Sequence, residues 1–138
     1  MTYKQKIKFA SLIFYSLAGF LFIFALIYFF TPGLLPYHIK FLGKTDDQLD
    51  PKVLSLLLKA SKIIGAALFS MAVTLVFLTK NLAIKNNNWV RWTLLSLTWV
   101  FSWPVLIIML SVSLTTPWYF IVLMLIFSLI AFILSKQN

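Results

Sequence analysis

The chain contains no cysteine and no glutamate, and among its 138 residues it has one histidine and four glycines. Without cysteine there are no disulfides, no thiolate nucleophile and no Cys-type metal site, although the redox compartment stays undefined. Without glutamate the only acidic side chains are Asp46, Asp47 and Asp50, gathered in one stretch with His38. No acid falls within an apolar run, so the proton or cation coupling that small transporters build on an intramembrane carboxylate has no carrier. A Gly-rich phosphate loop, a Ser-His-Asp set and a filter-like repeat are also missing. These absences argue against an enzyme and against an ion-coupled pump, and no cofactor or metal is expected.

What the chain does have is apolar surface. It is 62% hydrophobic and 11% charged, where a soluble domain of ordinary composition carries about 25% charged residues. Such a chain needs a bilayer as solvent. Four apolar runs, at about 9–30, 60–79, 90–114 and 117–135, are each long enough at ~1.5 Å per residue to cross or nearly cross a ~30 Å hydrocarbon core. The first is longer than a signal-peptide core, and Tyr28-Phe29-Phe30 offers no small-residue cleavage site, so it is read as a retained helix. The expected fold is all-α: a four-helix transmembrane bundle forming one membrane domain over 1–138, with a short interfacial helix in a first outer loop at 31–52.

The formal net charge of +9 raises nucleic-acid binding, which the placement of the charges disfavours. Lys4, Lys6 and Lys8 precede the first run, Lys80, Lys85 and Arg91 lie between the second and third, and Lys136 follows the fourth. With four spans these segments share one side, free of acids, whereas Lys40, Lys44 and Lys52 face the three aspartates on the other. The positive-inside rule then places both termini in the cytoplasm, with Lys59 and Lys62 as exceptions on the outer side. The basic residues read as topology determinants attracted to anionic lipid, and no nucleic-acid partner is expected.

The aspartates cluster because both helix starts on the outer side lie in one loop. Asp50-Pro51 reads as N-cap and N1 of the second long helix, with Leu49 placed to staple onto Leu54. Thr45 and Gln48 have capping-box spacing, which puts Asp46 and Asp47 in the first turn of a short helix, near the positive end of its dipole. Pro32-Gly33 suggests a type II turn ending the first helix near Phe30. The second long helix, from Pro51 to Thr79, extends about 42 Å and must begin outside the membrane. Thr116 reads as an N-cap and Pro117 as N1 of the last helix, with a tight turn at Thr115–Pro117.

Two groups of residues are candidates for binding. On the outer side, Lys59 and Lys62 with Tyr37 and His38 could hold a phosphate or carboxylate head, although both lysines could equally snorkel to water. A metal site or acid-base pair built on His38 and the aspartates is weaker, because nothing shares an i, i+4 spacing with the histidine. In the third helix Trp89, Trp92, Ser96, Trp99 and Trp103 recur every three or four residues along one face. Trp89 and Trp92 suit an interfacial aromatic belt, whereas Trp99 and Trp103 lie deeper, where an indole N–H wants an acceptor. Pro104 frees the carbonyl of Val100 for that purpose. The seam either packs on a neighbouring helix, with Ser96, Thr98 and Ser102 as interhelical partners, or lines an apolar groove at Trp99 and Trp103. In the second long helix, Ser61, Gly65 and Phe69, and also Ala66, Ser70 and Thr74, permit close helix approach, within the chain or with another copy.

Pro36-Tyr37-His38, Leu42-Gly43, Asp50-Pro51, Gly65, Trp89 with Trp92, and Pro117-Trp118 together resemble a loose group of small bacterial four-span inner-membrane proteins that carry a Tyr-His loop after the first helix. The resemblance implies a bacterial protein of that topology, and it brings no activity and no catalytic residue. The leading expectation is a non-enzymatic protein acting as an interacting subunit or self-associating bundle, with a homo-oligomer or a membrane-protein partner. The alternative is a binding or transport module for an anionic amphiphile or lipid.

Overall fold

The computed structural model describes residues 2–85, 87–112 and 116–136, the side chain of Lys85 excepted. Its helices are α1 (Tyr3–Phe30), α2 (Pro36–Leu42), α3 (Pro51–Lys85), α4 (Asn88–Val112) and α5 (Trp118–Leu134), with a single 3-10 turn at Asp46–Gln48. Among the described residues only α1, α3 and α4 are long and apolar enough to cross a membrane. This corrects the expectation of four spans. The 17 residues of α5 reach about 25 Å at ~1.5 Å per residue, short of a ~30 Å core. The molecule is a multi-span, all-α protein of three long helices with a shorter apolar partner, not four equivalent spans.

The shortening of α5 has a local cause. Pro117, expected inside the helix, stands at its N-cap with φ −77 and ψ 45. Thr116 does not cap the helix; its hydroxyl donates to the Met109 carbonyl at 3.0 Å, back on α4. The expected end of the third span at Leu114 and the turn residue Thr115 lie outside the described residues.

The other helices run past their expected bounds. α1 begins at Tyr3, not near residue 9, because Thr2 and Gln5 form a capping box: the Thr2 N–H donates to Gln5 Oε1 at 2.8 Å and the Gln5 N–H to Thr2 Oγ1 at 3.4 Å. α3 continues beyond Thr79 to Lys85, since residues 80–85 contain no Gly or Pro and Leu82 is fully buried. At its start Asp50 caps as expected, accepting from the N–H groups of Lys52 at 2.8 Å and Val53 at 3.4 Å.

α1 and α3 are antiparallel and touch at the backbone. A Cβ placed on Gly65 would lie 3.0 Å from the Ala25 carbonyl oxygen and 3.1 Å from the Phe29 nitrogen, so any larger residue would push the two backbones apart by a few tenths of an ångström or more. Phe22 and Phe69 pair one turn further along, with centroids 5.8 Å apart. α4 and α5 are likewise antiparallel, with Arg91 beside Phe132 and Ser135 and Trp99 beside Ser128. Phe120 of α5 packs on Phe20 and Phe24 of α1. The helices thus close a ring in the order α3, α1, α5, α4, in which α3 and α4 touch least.

This ring brings residues near both ends of the chain to one end of the molecule, with Lys4, Lys6, Lys8, Lys80 and Lys136. The interior there is dense: Ala10, Phe14, Leu75, Leu82, Leu94 and Ala131 are fully buried. Outward, large apolar side chains such as Ile63, Phe77 and Val100 are 65–74% exposed. That apolar exterior, with charges confined to the ends, is the surface of a protein whose solvent is hydrocarbon.

Candidate functional site

At the end opposite the basic one, the chain leaves α1 through residues 31–35 and folds α2 across the bundle. The Thr31 N–H and hydroxyl both donate to the Ile27 carbonyl, closing α1. The Asp46 carboxylate accepts from the Leu34 N–H at 3.2 Å and so ties this connection to the 3-10 turn. The type II turn expected at Pro32-Gly33 is not formed, because the positive φ it needs belongs only to Gly43, at 63°, among the described glycines. Gly33 instead leaves room for the Asp46 carboxylate, which a Cβ there would push aside. Gly43 ends α2 in the left-handed conformation.

α2 roofs a cavity of about 220 Å³ lined by all four larger helices. Phe24 and Tyr28 of α1, Leu68 of α3, Val105 of α4 and Met124 of α5 form its walls, and Leu35 and Tyr37 its roof. The lining is apolar almost throughout. The tyrosine hydroxyls do not break that character, because those of Tyr28 and Tyr37 hydrogen-bond to each other. This bond also latches α2 to α1. A second cavity of about 230 Å³ lies between α2 and α3, with His38, Phe41, Leu57 and Ser61 in its wall. The two share Ile64 as a lining residue.

His38 stands edge-on to the Tyr37 ring, with centroids 4.2 Å apart. Burial holds its imidazole below the ordinary pKa of 6.5, so it is neutral at pH 7. Burial, reinforced by the bond to Tyr28, raises the Tyr37 phenol, which stays protonated. Tyr37 and His38 therefore belong to one uncharged cluster.

Lys59 and Lys62 do not join them. The residues of α3 that face α2 are Leu57, Ala60, Ser61 and Ile64; at 3.6 residues per turn, 59 and 62 fall on the opposite side of the helix. Both lysines are exposed. The four residues expected to form one anion-head site are thus split into a neutral pair and a separate basic face.

The tryptophan seam is also displaced from the interior. Trp89, Trp92 and Trp103 are exposed at 66%, 54% and 47%. Trp99 donates to Ser128 Oγ of α5 at 3.2 Å, not to the carbonyl freed by Pro104, and its ring meets Trp103 at 6.3 Å. The cavity is lined by another strip of α4, Phe101, Val105 and Met109, so Trp99 and Trp103 do not form its groove. Of the expected interhelical hydroxyls, Ser96 is exposed, Thr98 bonds within its own helix, and Ser102 is buried without a partner.

The residue that the sequence concealed is Arg91. Counted as an interfacial charge, it is in fact 5% exposed. Its guanidinium donates to Asn88 Oδ1 at 2.9 Å, to the Phe132 carbonyl at 3.0 Å and to Ser135 Oγ at 3.1 Å, and lies 4.8 Å over the Phe132 ring. It thereby caps the last turn of α5 with a cation, as the helix dipole favours. Among the described residues no group of three or more His, Cys, Asp or Glu gathers where a metal ion would bind. Comparison with models of protein families, with curated proteins and with solved structures gives no match.

Proposed function

We propose that this protein is a non-catalytic membrane protein that accommodates a hydrocarbon chain in the chamber beneath α2. The chamber itself carries the reading: at about 220 Å³, it exceeds the ~150 Å³ void that takes up benzene in an engineered protein core. It falls below the ~300–1,000 Å³ of drug-sized sites. Its capacity thus suits part of one chain and not a whole two-chain lipid. The basic end faces the cytoplasm of a bacterial inner membrane, as the positive-inside rule and the Tyr-His loop resemblance favour, and α2 lies at the outer surface.

A second reading, self-association, draws on one observation. Gly65 is used within the chain against α1, which leaves Ala66, Ser70 and Thr74 exposed along a neighbouring face of α3. Native mass spectrometry of protein released gently from its own membranes tests both readings. A species retaining one defined single-chain amphiphile is expected. A homo-oligomer of fixed stoichiometry without such a molecule would overturn the chamber reading in favour of self-association.

A further inference from the structure

We infer that the chamber and the cavity between α2 and α3 form one bipartite site, whose ligand is a single-chain amphiphile with an uncharged, hydrogen-bonding head held beside His38. The inference rests on the chamber reading above and adds the head group to it. Three observations carry it. The two cavities share Ile64 as a wall residue, so they lie side by side, and a molecule with its tail in the apolar compartment and its head in the vestibule would pass that side chain. The vestibule contributes polar groups that the chamber lacks: the His38 imidazole and the Ser61 hydroxyl, which already donates to the Leu57 carbonyl at 3.0 Å and keeps acceptor capacity. Among the described residues no lysine, arginine or aspartate lines either compartment.

The charge argument decides the class of head. An anionic head placed in the vestibule would lose water without gaining a cation, since Lys59 and Lys62 project from the far side of α3. A cationic head would meet no carboxylate. An alcohol, ester or amide head can bond to a neutral imidazole, as donor or acceptor according to its tautomer, and to the Ser61 oxygen. The tail alone gives affinity; the head gives selectivity. One hydrogen bond of this kind corresponds to about a two- to tenfold difference in Kd.

The test uses the full chain in non-ionic micelles and reads quenching of tryptophan fluorescence by three probes of equal chain length: bromododecane, ω-bromododecanol and ω-bromododecanoate. Each curve is corrected for the probe's partition into the micelle. The wild type is expected to bind the alcohol about two- to tenfold more tightly than either other probe. His38→Phe keeps an aromatic ring and is expected to bring the alcohol to the level of bromododecane while leaving bromododecane unchanged, which also shows that the chamber is intact. Lys59→Ala/Lys62→Ala, at exposed positions, is expected to alter none of the three. The inference is overturned if the carboxylate binds as tightly as the alcohol, if the alcohol's advantage survives His38→Phe, or if the lysine variant weakens a probe. If instead bromododecane binds without saturation and Val105→Phe leaves its curve unchanged, the chamber reading itself fails.

Discussion

Replacing Arg91 by alanine is expected to release α5 from α4, and the size of the effect can be worked from its bonds. Of the three guanidinium hydrogen bonds among the described residues, two cross to α5, to Phe132 and Ser135. Bonds to a charged group contribute about 1.5–3 kcal/mol each, which sets a ceiling of about 3–6 kcal/mol for the pair. Two facts lower that ceiling. The Phe132 carbonyl still accepts from the Ser135 hydroxyl at 3.0 Å, so it is not left bare. Removing the guanidinium also ends the cost of holding a charge away from water. The expected loss is about 2–4 kcal/mol. Arg91→Lys should fall between, because an ammonium cannot fork to both acceptors. The assay is equilibrium unfolding in mixed micelles followed by far-UV circular dichroism, with hydrogen exchange reporting whether residues 128–135 open first. An Arg91→Ala protein within about 0.5 kcal/mol of wild type, the range of an ordinary surface substitution, would refute the reasoning.

Gly65→Leu should cost about 1–3 kcal/mol in the same assay, because the new side chain meets the α1 backbone and not a flexible tip that could give way. Gly65→Ala should cost less, and equal effects from both would contradict the close approach. For His38 the sign follows from its lowered pKa in the folded protein. The stability tied to the neutral ring is present above the unfolded value of about 6.5 and is lost as pH falls from there toward the folded value. Thermal unfolding should therefore shift downward between pH 8 and pH 5 in the wild type and by less in His38→Phe; a shift of the same size in both proteins would assign the effect to other groups.

What could be read from sequence depended on whether a residue's role was local. The Asp50-Pro51 start, the end of α1 near Phe30 and the apolar helices follow from neighbours in the chain, and the structure contains them. The same capping logic applied to Thr2 and Gln5 would have found the start of α1, since T-x-x-Q recurs there as at Thr45–Gln48. Length misled at the last helix: the apolar run reaches residue 117, but Pro117, with ψ 45, stands at the cap and not in the first turn. Spacing misled in α4. Tryptophan recurs along one face, but Val90, Arg91, Leu94, Thr98, Ser102 and Leu106 are the buried residues there, and in a lipid-facing protein a recurrence of large apolar side chains does not by itself mark the helix contact. The chamber was not legible at all, since its walls come from five helices and no local pattern records where they converge.

The bonds of Arg91 also set an order in time. Phe132 and Ser135 lie 41 and 44 residues beyond it, so at about 5–20 residues per second of synthesis the guanidinium waits several seconds for its partners. Through that interval the start of α4 holds a charge that hydrocarbon does not tolerate, which keeps that end at the lipid-water boundary while the rest of the helix inserts. Only when the final turn of α5 arrives can the arginine withdraw from water. The guanidinium that first holds the start of α4 at the boundary thus becomes a fastener once the last turn of α5 is in place.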